Sequence, residues 1–170
     1  MSHALELQAI EKNFDGYQAL AGASLIAHWG EVHALLGENG AGMSSLMNIA
    51  AGLYAAEAGQ MLVDDNVVRL SGPRDAARHH IGMVHQHFKL VSPFTVAENV
   101  LLGLPLMALE AHGQSYRRRL AAVRAEIVRQ SGELGFSIDP DRPIKTLSVA
   151  EQQRVEILKV LLAGARILIL

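Results

Sequence analysis

Nine residues, Gly37-Glu38-Asn39-Gly40-Ala41-Gly42-Met43-Ser44-Ser45, constrain the fold more than any other stretch of the chain. They match the phosphate-binding loop pattern G-x-x-x-x-G-K-[ST] at every fixed position except the lysine, where Met43 stands. The glycines allow φ > 0, so the backbone can turn its N–H groups inward around an anion. Before the loop, Val32-His33-Ala34-Leu35-Leu36 is a short apolar run that reads as a buried strand. After it, Leu46 to Gly52 is helical in period and closes on a glycine. Strand, glycine loop and helix form the setting in which a helix N-terminus adds partial positive charge for a phosphate. An α/β fold follows from that order.

The rest of the chain divides by pattern. Leu5 to Ile10 alternates apolar and polar, Lys12 to Tyr17 is turn-like around Asp15-Gly16, and Leu20 to Ala27 resumes strand character. Tyr54 to Gly59 reads as a loop. Gln60 to Asp64 and Val67 to Leu70 read as a hairpin around Asp65-Asn66. Pro73 starts a short helix, and Ile81 to His85 is a short apolar strand ending at Gln86. From Thr95 to Gln130 the period is helical. Thr95-Val96-Ala97-Glu98 is a capping box, and Tyr116, Leu120, Val123 and Ile127 share one face. Arg117-Arg118-Arg119 is read as a solvated helix face rather than a binding patch. Asp139 to Pro143 reads as a linker. Ser148 caps a last helix over Ala150 to Leu162, and Arg166 to Leu170 begins a buried strand.

Bulk properties exclude several classes. A chain of 170 residues, half of them apolar and 19% charged, can build a core and is not disordered in composition. A net charge of −2 offers no footprint for nucleic acid. Without cysteine there are no disulfides or thiolate metal sites. The eight histidines include His79-His80 and the pair His85 and His87 around Gln86, but lack a third ligand at useful spacing. The first residues show no basic and apolar leader. The run Val100 to Leu109 covers about half a membrane span and contains Gly103 and Pro105.

The second fixed motif, Leu147-Ser148-Val149-Ala150-Glu151-Gln152-Gln153-Arg154-Val155, resembles the ABC signature at a helix start. With the glycine loop and Gln86 in the same order, the whole chain resembles the ATP-binding subunits of ABC transporters. Gly82-Met83-Val84-His85-Gln86-His87-Phe88 and Glu151 to Lys159 are most similar to simple-sugar and nucleoside importers. The resemblance implies a RecA-like ABC ATPase core with an antiparallel β part and a helical subdomain. It divides the chain into a nucleotide-binding core (1–86), a Q-loop and helical subdomain (87–146), and a signature helix leading into the Walker B strand (147–170). The signature argues against a plain phosphate-loop kinase or GTPase.

The resemblance also assigns roles. Phe14 would stack on adenine, with Tyr17 as its rival. Gly37, Glu38, Asn39, Gly40, Ala41, Gly42, Met43, Ser44 and Ser45 would surround the nucleotide phosphates, with ATP and Mg²⁺ as cofactors. Ser44 and Gln86 would reach Mg²⁺, Gln86 also touching the attacking water. Leu147, Ser148, Val149, Ala150 and Glu151 would bind the γ-phosphate of a nucleotide held by a second ATP-binding domain in a head-to-tail dimer. The implied partners are an ABC permease, met near Gln86 to Pro93, and indirectly a periplasmic or lipoprotein solute-binding protein. The implied location is peripheral, on the cytoplasmic face of the cell membrane.

Three departures set the expected activity. Ala150 replaces the second signature glycine, adding a methyl where backbone approaches phosphate. Met43 replaces the lysine that bridges the β- and γ-phosphates. A charge-assisted hydrogen bond contributes about 1.5–3 kcal/mol, so ATP affinity is expected to fall by at least roughly tenfold to a hundredfold. The strand at Ile167 to Leu170 is the last segment of the sequence. The family's magnesium aspartate, catalytic glutamate and switch histidine lie beyond it, so the expectation is an N-terminal portion truncated at the Walker B strand. The chain is therefore expected to be a hydrolysis-deficient transporter ATPase subunit. The alternatives are a non-catalytic interaction subunit or a decayed fragment.

Overall fold

The computed structural model describes residues 3–38, 40–85, 89–104 and 115–170. Asn39, Gln86 and the expected helical stretch over 105–114 lie outside the described residues. The chain divides into two compact units, one over residues 1–82 with Ile169 and the other over 83–168 with Leu170.

The first unit is built on an antiparallel sheet. β1 (His3–Phe14) pairs with β2 (Tyr17–His28) on one side and β3 (Ala58–Val63) on the other, and β4 (Asn66–Val68) completes the order β2-β1-β3-β4. Leu5 and Leu7 of β1 face inward, and simple alternation would next bury Ala9. Instead the register slips between Leu7 and Ile10, Ala9 takes φ 49°, and Ile10 is the residue that is buried. A bulge thus re-aims one large apolar side chain into the core, with the Ser24 hydroxyl accepting the Ala9 N–H at 2.9 Å. The strands extend further than the sequence pattern suggests, so only Asp15-Gly16 remains as the turn. The second hairpin turns at Asp64-Asp65, both with positive φ, one residue earlier than expected. Asn66 opens the partner strand, its side-chain amide donating to the Asp64 carbonyl at 2.7 Å.

α1 (Met43–Ala50) packs on β1 and β2 through buried Leu46, Ile49 and Ala50. α2 (Pro73–Arg78) opens on a proline, as expected of a residue whose missing N–H costs nothing there. β5 (Ile81–Met83) and β6 (Ile167–Ile169) form a separate two-stranded sheet.

The second unit is helical. α3 (Val96–Gly103), α4 (Tyr116–Glu133) and α5 (Val149–Leu162) enclose a core that includes Val96, Val100, Ile127, Ile144, Val155 and Leu158. Val123 and Ile127 of α4 are buried as its period predicts, and Leu120 packs beside them. Tyr116, from the same row, is exposed. Its hydroxyl lies 3.4 Å from Glu98. Arg117 and Arg118 are exposed.

The segment expected to be a linker is packed instead. Val96 N–H donates to the Arg142 carbonyl at 3.0 Å and Ala97 N–H to the Pro140 carbonyl at 2.9 Å. These are donors of the first turn of α3, which have no partner within their own helix. The segment turns at Pro140-Asp141, with Arg142 N–H donating to the Asp139 carbonyl at 3.3 Å, and its carbonyls cap a helix. Ile138 and Ile144 anchor it in the core on either side.

Candidate functional site

The glycine loop leads into α1 through Gly42, which is the N-cap residue at φ 79°, ψ 2°. A residue with a side chain pays about 1–2 kcal/mol for that left-handed conformation. Space forbids it as well: a Cβ on Gly42 would stand 2.5 Å from the Ala19 carbonyl oxygen and 2.7 Å from Leu20. The loop is therefore seated on β2 by a glycine that nothing else replaces. Ala41 N–H closes a tight turn onto the Glu38 carbonyl at 3.0 Å, and Leu46 N–H starts the helix by donating to Gly42 at 2.9 Å. No side chain caps α1, and its first turn holds no acidic residue. Among the described residues nothing accepts from the N–H groups of Met43, Ser44 and Ser45, and Ser44 is exposed beside them. These features fit a nucleotide's phosphates and a magnesium ligand.

Met43 fits the loop's shape but not its charge. Its sulfur lies 3.2 Å, and its terminal methyl 3.4 Å, from where a Cβ on Gly37 would be. The thioether is folded back against the first glycine of the loop. It supplies neither donor nor positive charge to a phosphate.

The strand expected at Val32 to Leu36 is absent. Residues 31–38 have no regular structure, and Val32 and Leu36 are 98% and 92% exposed. Neither described sheet offers this run a partner. Its apolar composition is that of a strand covered on both faces, and such a strand exists only where neighbours pair with it. Among the described residues, Gly42 of the loop rests on β2 and leads into α1.

At the β1–β2 hairpin, Phe14 pairs across the turn with Tyr17. Phe14 is half-buried, meeting Tyr54 edge-on at 5.2 Å between centroids, with the Lys12 ammonium 5.3 Å from its ring. Glu57 accepts from Asn13 at 2.9 Å and pairs with Lys12 at 3.3 Å, and its carboxyl is held below the usual range, chiefly by the Asn13 amide. Tyr17 is 64% exposed and is the freer of the two rings. Ala19, two residues beyond Tyr17, is the residue against which Gly42 rests. Aromatic turn and glycine loop therefore share one end of β2.

In the second unit the signature stretch starts α5. Leu147 is buried as an anchor, while Ser148, Val149 and Ala150 are exposed. Ser148 and Glu151 form a capping box: Glu151 N–H donates to the Ser148 hydroxyl oxygen at 3.3 Å, and Ser148 N–H donates to Glu151 Oε2 at 2.8 Å. The Ser148 hydroxyl donates to that same carboxylate oxygen at 2.8 Å. Arg142 adds a 2.7 Å bond to Glu151 and holds the Thr146 carbonyl at 2.9 Å. The Ser148 backbone N–H and hydroxyl, with Arg142, bring the Glu151 carboxyl down to about 2. The Ser148 cap was legible in sequence. The part of Arg142 was not, because it reaches Glu151 from nine residues upstream through a turn with no pattern of its own.

Among the described residues no three histidines or carboxylates stand together to hold a metal, and no helix is long and apolar enough to cross a membrane.

The ABC transporter family model matches residues 20–170, and the chain belongs to that family. It is 42% identical over 165 residues to a nucleoside import ATP-binding protein of Lactococcus lactis, covering 97% of this chain and 31% of the relative. It is 39% identical to a ribose import ATP-binding protein of Escherichia coli O157:H7, covering 98% and 32%. The chain thus spans about a third of the length of these relatives. A solved ATP-binding cassette of an ABC transporter, in its ADP conformation, superposes with a TM-score of 0.80 at 24% identity, over 99% of this chain and 68% of that one. The fold is that of an α/β phosphate-loop ABC cassette, with the antiparallel part and helical part that the signature implied.

Proposed function

We propose that the chain carries the nucleotide-binding elements of an ATP-binding subunit that couples ATP to the import of a sugar or nucleoside. The single observation that carries this reading is the α1 N-terminus. A left-handed glycine seats the loop, and among the described residues the first turn carries neither a side-chain cap nor an acid. In this reading the backbone N–H groups from Asn39 to Ser45 surround the β- and γ-phosphates and Ser45 lies near the α-phosphate. Ser44 ligates Mg²⁺, and Phe14 stacks on adenine. Gln86 reaches the magnesium and the attacking water. Bound Mg²⁺ would supply charge neutralisation for the phosphates. The names of the relatives support the class of solute.

Residues 1–86 serve as the nucleotide core, 87–146 as the Q-loop and helical part, and 147–170 as the signature helix and following strand. Leu147 to Glu151 face a nucleotide on a second ATP-binding domain in a head-to-tail dimer. The Glu151 carboxylate already neutralises that helix end, so contact falls to the exposed Ser148 hydroxyl and the Val149–Ala150 backbone. The permease is the direct membrane partner, the solute-binding protein an indirect one, and nucleic acid has no part. The subunit sits peripherally at the cytoplasmic face of the membrane.

Met43 sets the activity. With a thioether folded on Gly37 in place of an ammonium, the chain binds nucleotide weakly and transfers phosphate poorly. That same observation favours a second reading, a docking subunit that engages the permease without hydrolysis. Steady-state phosphate release with Mg-ATP tests the first point: release at the buffer-blank rate is expected, and clear turnover contradicts it. Co-purification with a permease that survives removal of nucleotide would mark the docking role.

A further inference from the structure

Two of the three buried polar side chains among the described residues hold one short piece of backbone. Glu156 of α5 is 2% exposed, and its Oε1 accepts the Lys89 N–H at 2.7 Å. Its other oxygen pairs with the Lys159 ammonium at 2.8 Å, and that ammonium lies 3.4 Å from the Lys89 carbonyl. Both backbone groups of Lys89 are thus taken by side chains one turn apart on α5. Asn99 of α3, 3% exposed, repeats the arrangement two residues on: it accepts the Val91 N–H at 2.6 Å and donates to the Val91 carbonyl at 3.1 Å. Next in the chain, the Ser92 and Phe94 carbonyls accept from Lys145 and Ile144. Segment 89–94 has no sheet partner, yet two helices and a turn take both backbone groups of Lys89 and Val91 and the Ser92 and Phe94 carbonyls.

Burying a carboxylate and an ammonium is costly, and an apolar pair of the same size would pack as well or better. The charges are useful here because Lys89 presents a donor and an acceptor that an apolar pair leaves unmade. Gly103 makes room for the arrangement. A Cβ there would stand 2.8 Å and 2.9 Å from Cγ and Cδ of Lys159, so the lysine stem passes over α3 only because Gly103 has no side chain.

We propose that Glu156, Lys159 and Asn99 are positioning residues of the nucleotide reaction. Glu156 and Lys159 fix the Lys89 backbone, three residues after Gln86 in sequence, to the helix that begins at Ser148, and Asn99 fixes Val91 to α3. This rests on the reading of Gln86 as a magnesium contact given above.

The test uses the chain with ATP as the probe, titrated with Mg²⁺ and with EDTA, alongside hydrogen exchange of the Lys89 and Val91 amides. In the paired variant Glu156→Leu with Lys159→Leu, which keeps the core apolar and filled, Lys89 exchange should rise roughly tenfold to a hundredfold. The tightening of ATP binding by Mg²⁺ should shrink severalfold, while affinity in EDTA stays unchanged. Glu156→Gln, which keeps an acceptor for Lys89 N–H, should retain most of the magnesium effect. Gly103→Ala, which touches neither motif, should reproduce the loss in weaker form. Faster Lys89 exchange with an undiminished magnesium effect would overturn the positioning role. No magnesium effect in the unaltered chain would overturn the reading of Gln86 and this inference with it. Should the paired variant fail to fold, Asn99→Leu read at Val91 gives the same two outcomes.

Discussion

The helices α1 and α5 begin in opposite ways. α1 starts on a left-handed glycine, without a capping side chain and without acid in its first turn. α5 starts on Ser148, whose capping box with Glu151 is reinforced by Arg142. Both ends carry the same unsatisfied N–H groups and the same partial positive charge. One lacks a side-chain cap among the described residues, and the other is capped from its own sequence. The difference teaches that a helix start is a binding element when the chain declines to cap it. The phosphate loop therefore keeps its receptive geometry although its charged residue is gone. The signature end is structurally complete and contributes exposed surface.

Substitutions that make one end resemble the other break this comparison. The largest effect is expected from Ser45→Glu, which puts a carboxylate at the α1 position that Glu151 occupies in α5. ATP binding should disappear, while the melting temperature holds or rises, since an acid in a first turn contributes about 0.3–1 kcal/mol. Calorimetric titration with thermal unfolding reads both. Gly42→Ala should come next. It costs more than about 1–2 kcal/mol from φ alone, with the Ala19 contact added, and a lowered melting midpoint with lost ATP binding checks it. Ser148→Ala removes one cap and should cost about 1 kcal/mol by urea unfolding, leaving ATP binding by the loop unchanged.

The smallest effect is a pH dependence. The Glu151 carboxyl drops from 4.5 to about 2 on folding, so its contribution is fully present above pH 4.5 and is lost as the pH falls through about 2. Glu151→Gln should flatten the acid-unfolding curve across that window. No such carboxylate exists in the first turn of α1, so that end gives no matching transition.

What the sequence made legible was local. The capping boxes at Thr95–Glu98 and Ser148–Glu151 lie within one turn of their own helices, and both stand in the structure. The left-handed glycine of the loop is equally local. Val32 to Leu36 failed because strand formation is decided by neighbours, and no described strand pairs with that run. Asp139 to Pro143 looked like a linker because prolines and aspartates say nothing of where their carbonyls point. The sequence places Glu156 and Lys159 three residues apart on one helix and says nothing of their burial. Their burial depends on Gly103 and Lys89, which are distant in sequence.

The central claim is that the loop retains a nucleotide-shaped scaffold from which one charge is missing. Titrating Mg-ATP into the chain and into Met43→Lys tests it most directly. The account predicts that the substitution tightens binding by roughly tenfold to a hundredfold, with the melting temperature of the free protein little changed. Equal affinity in the two proteins, or no binding in either, would contradict it.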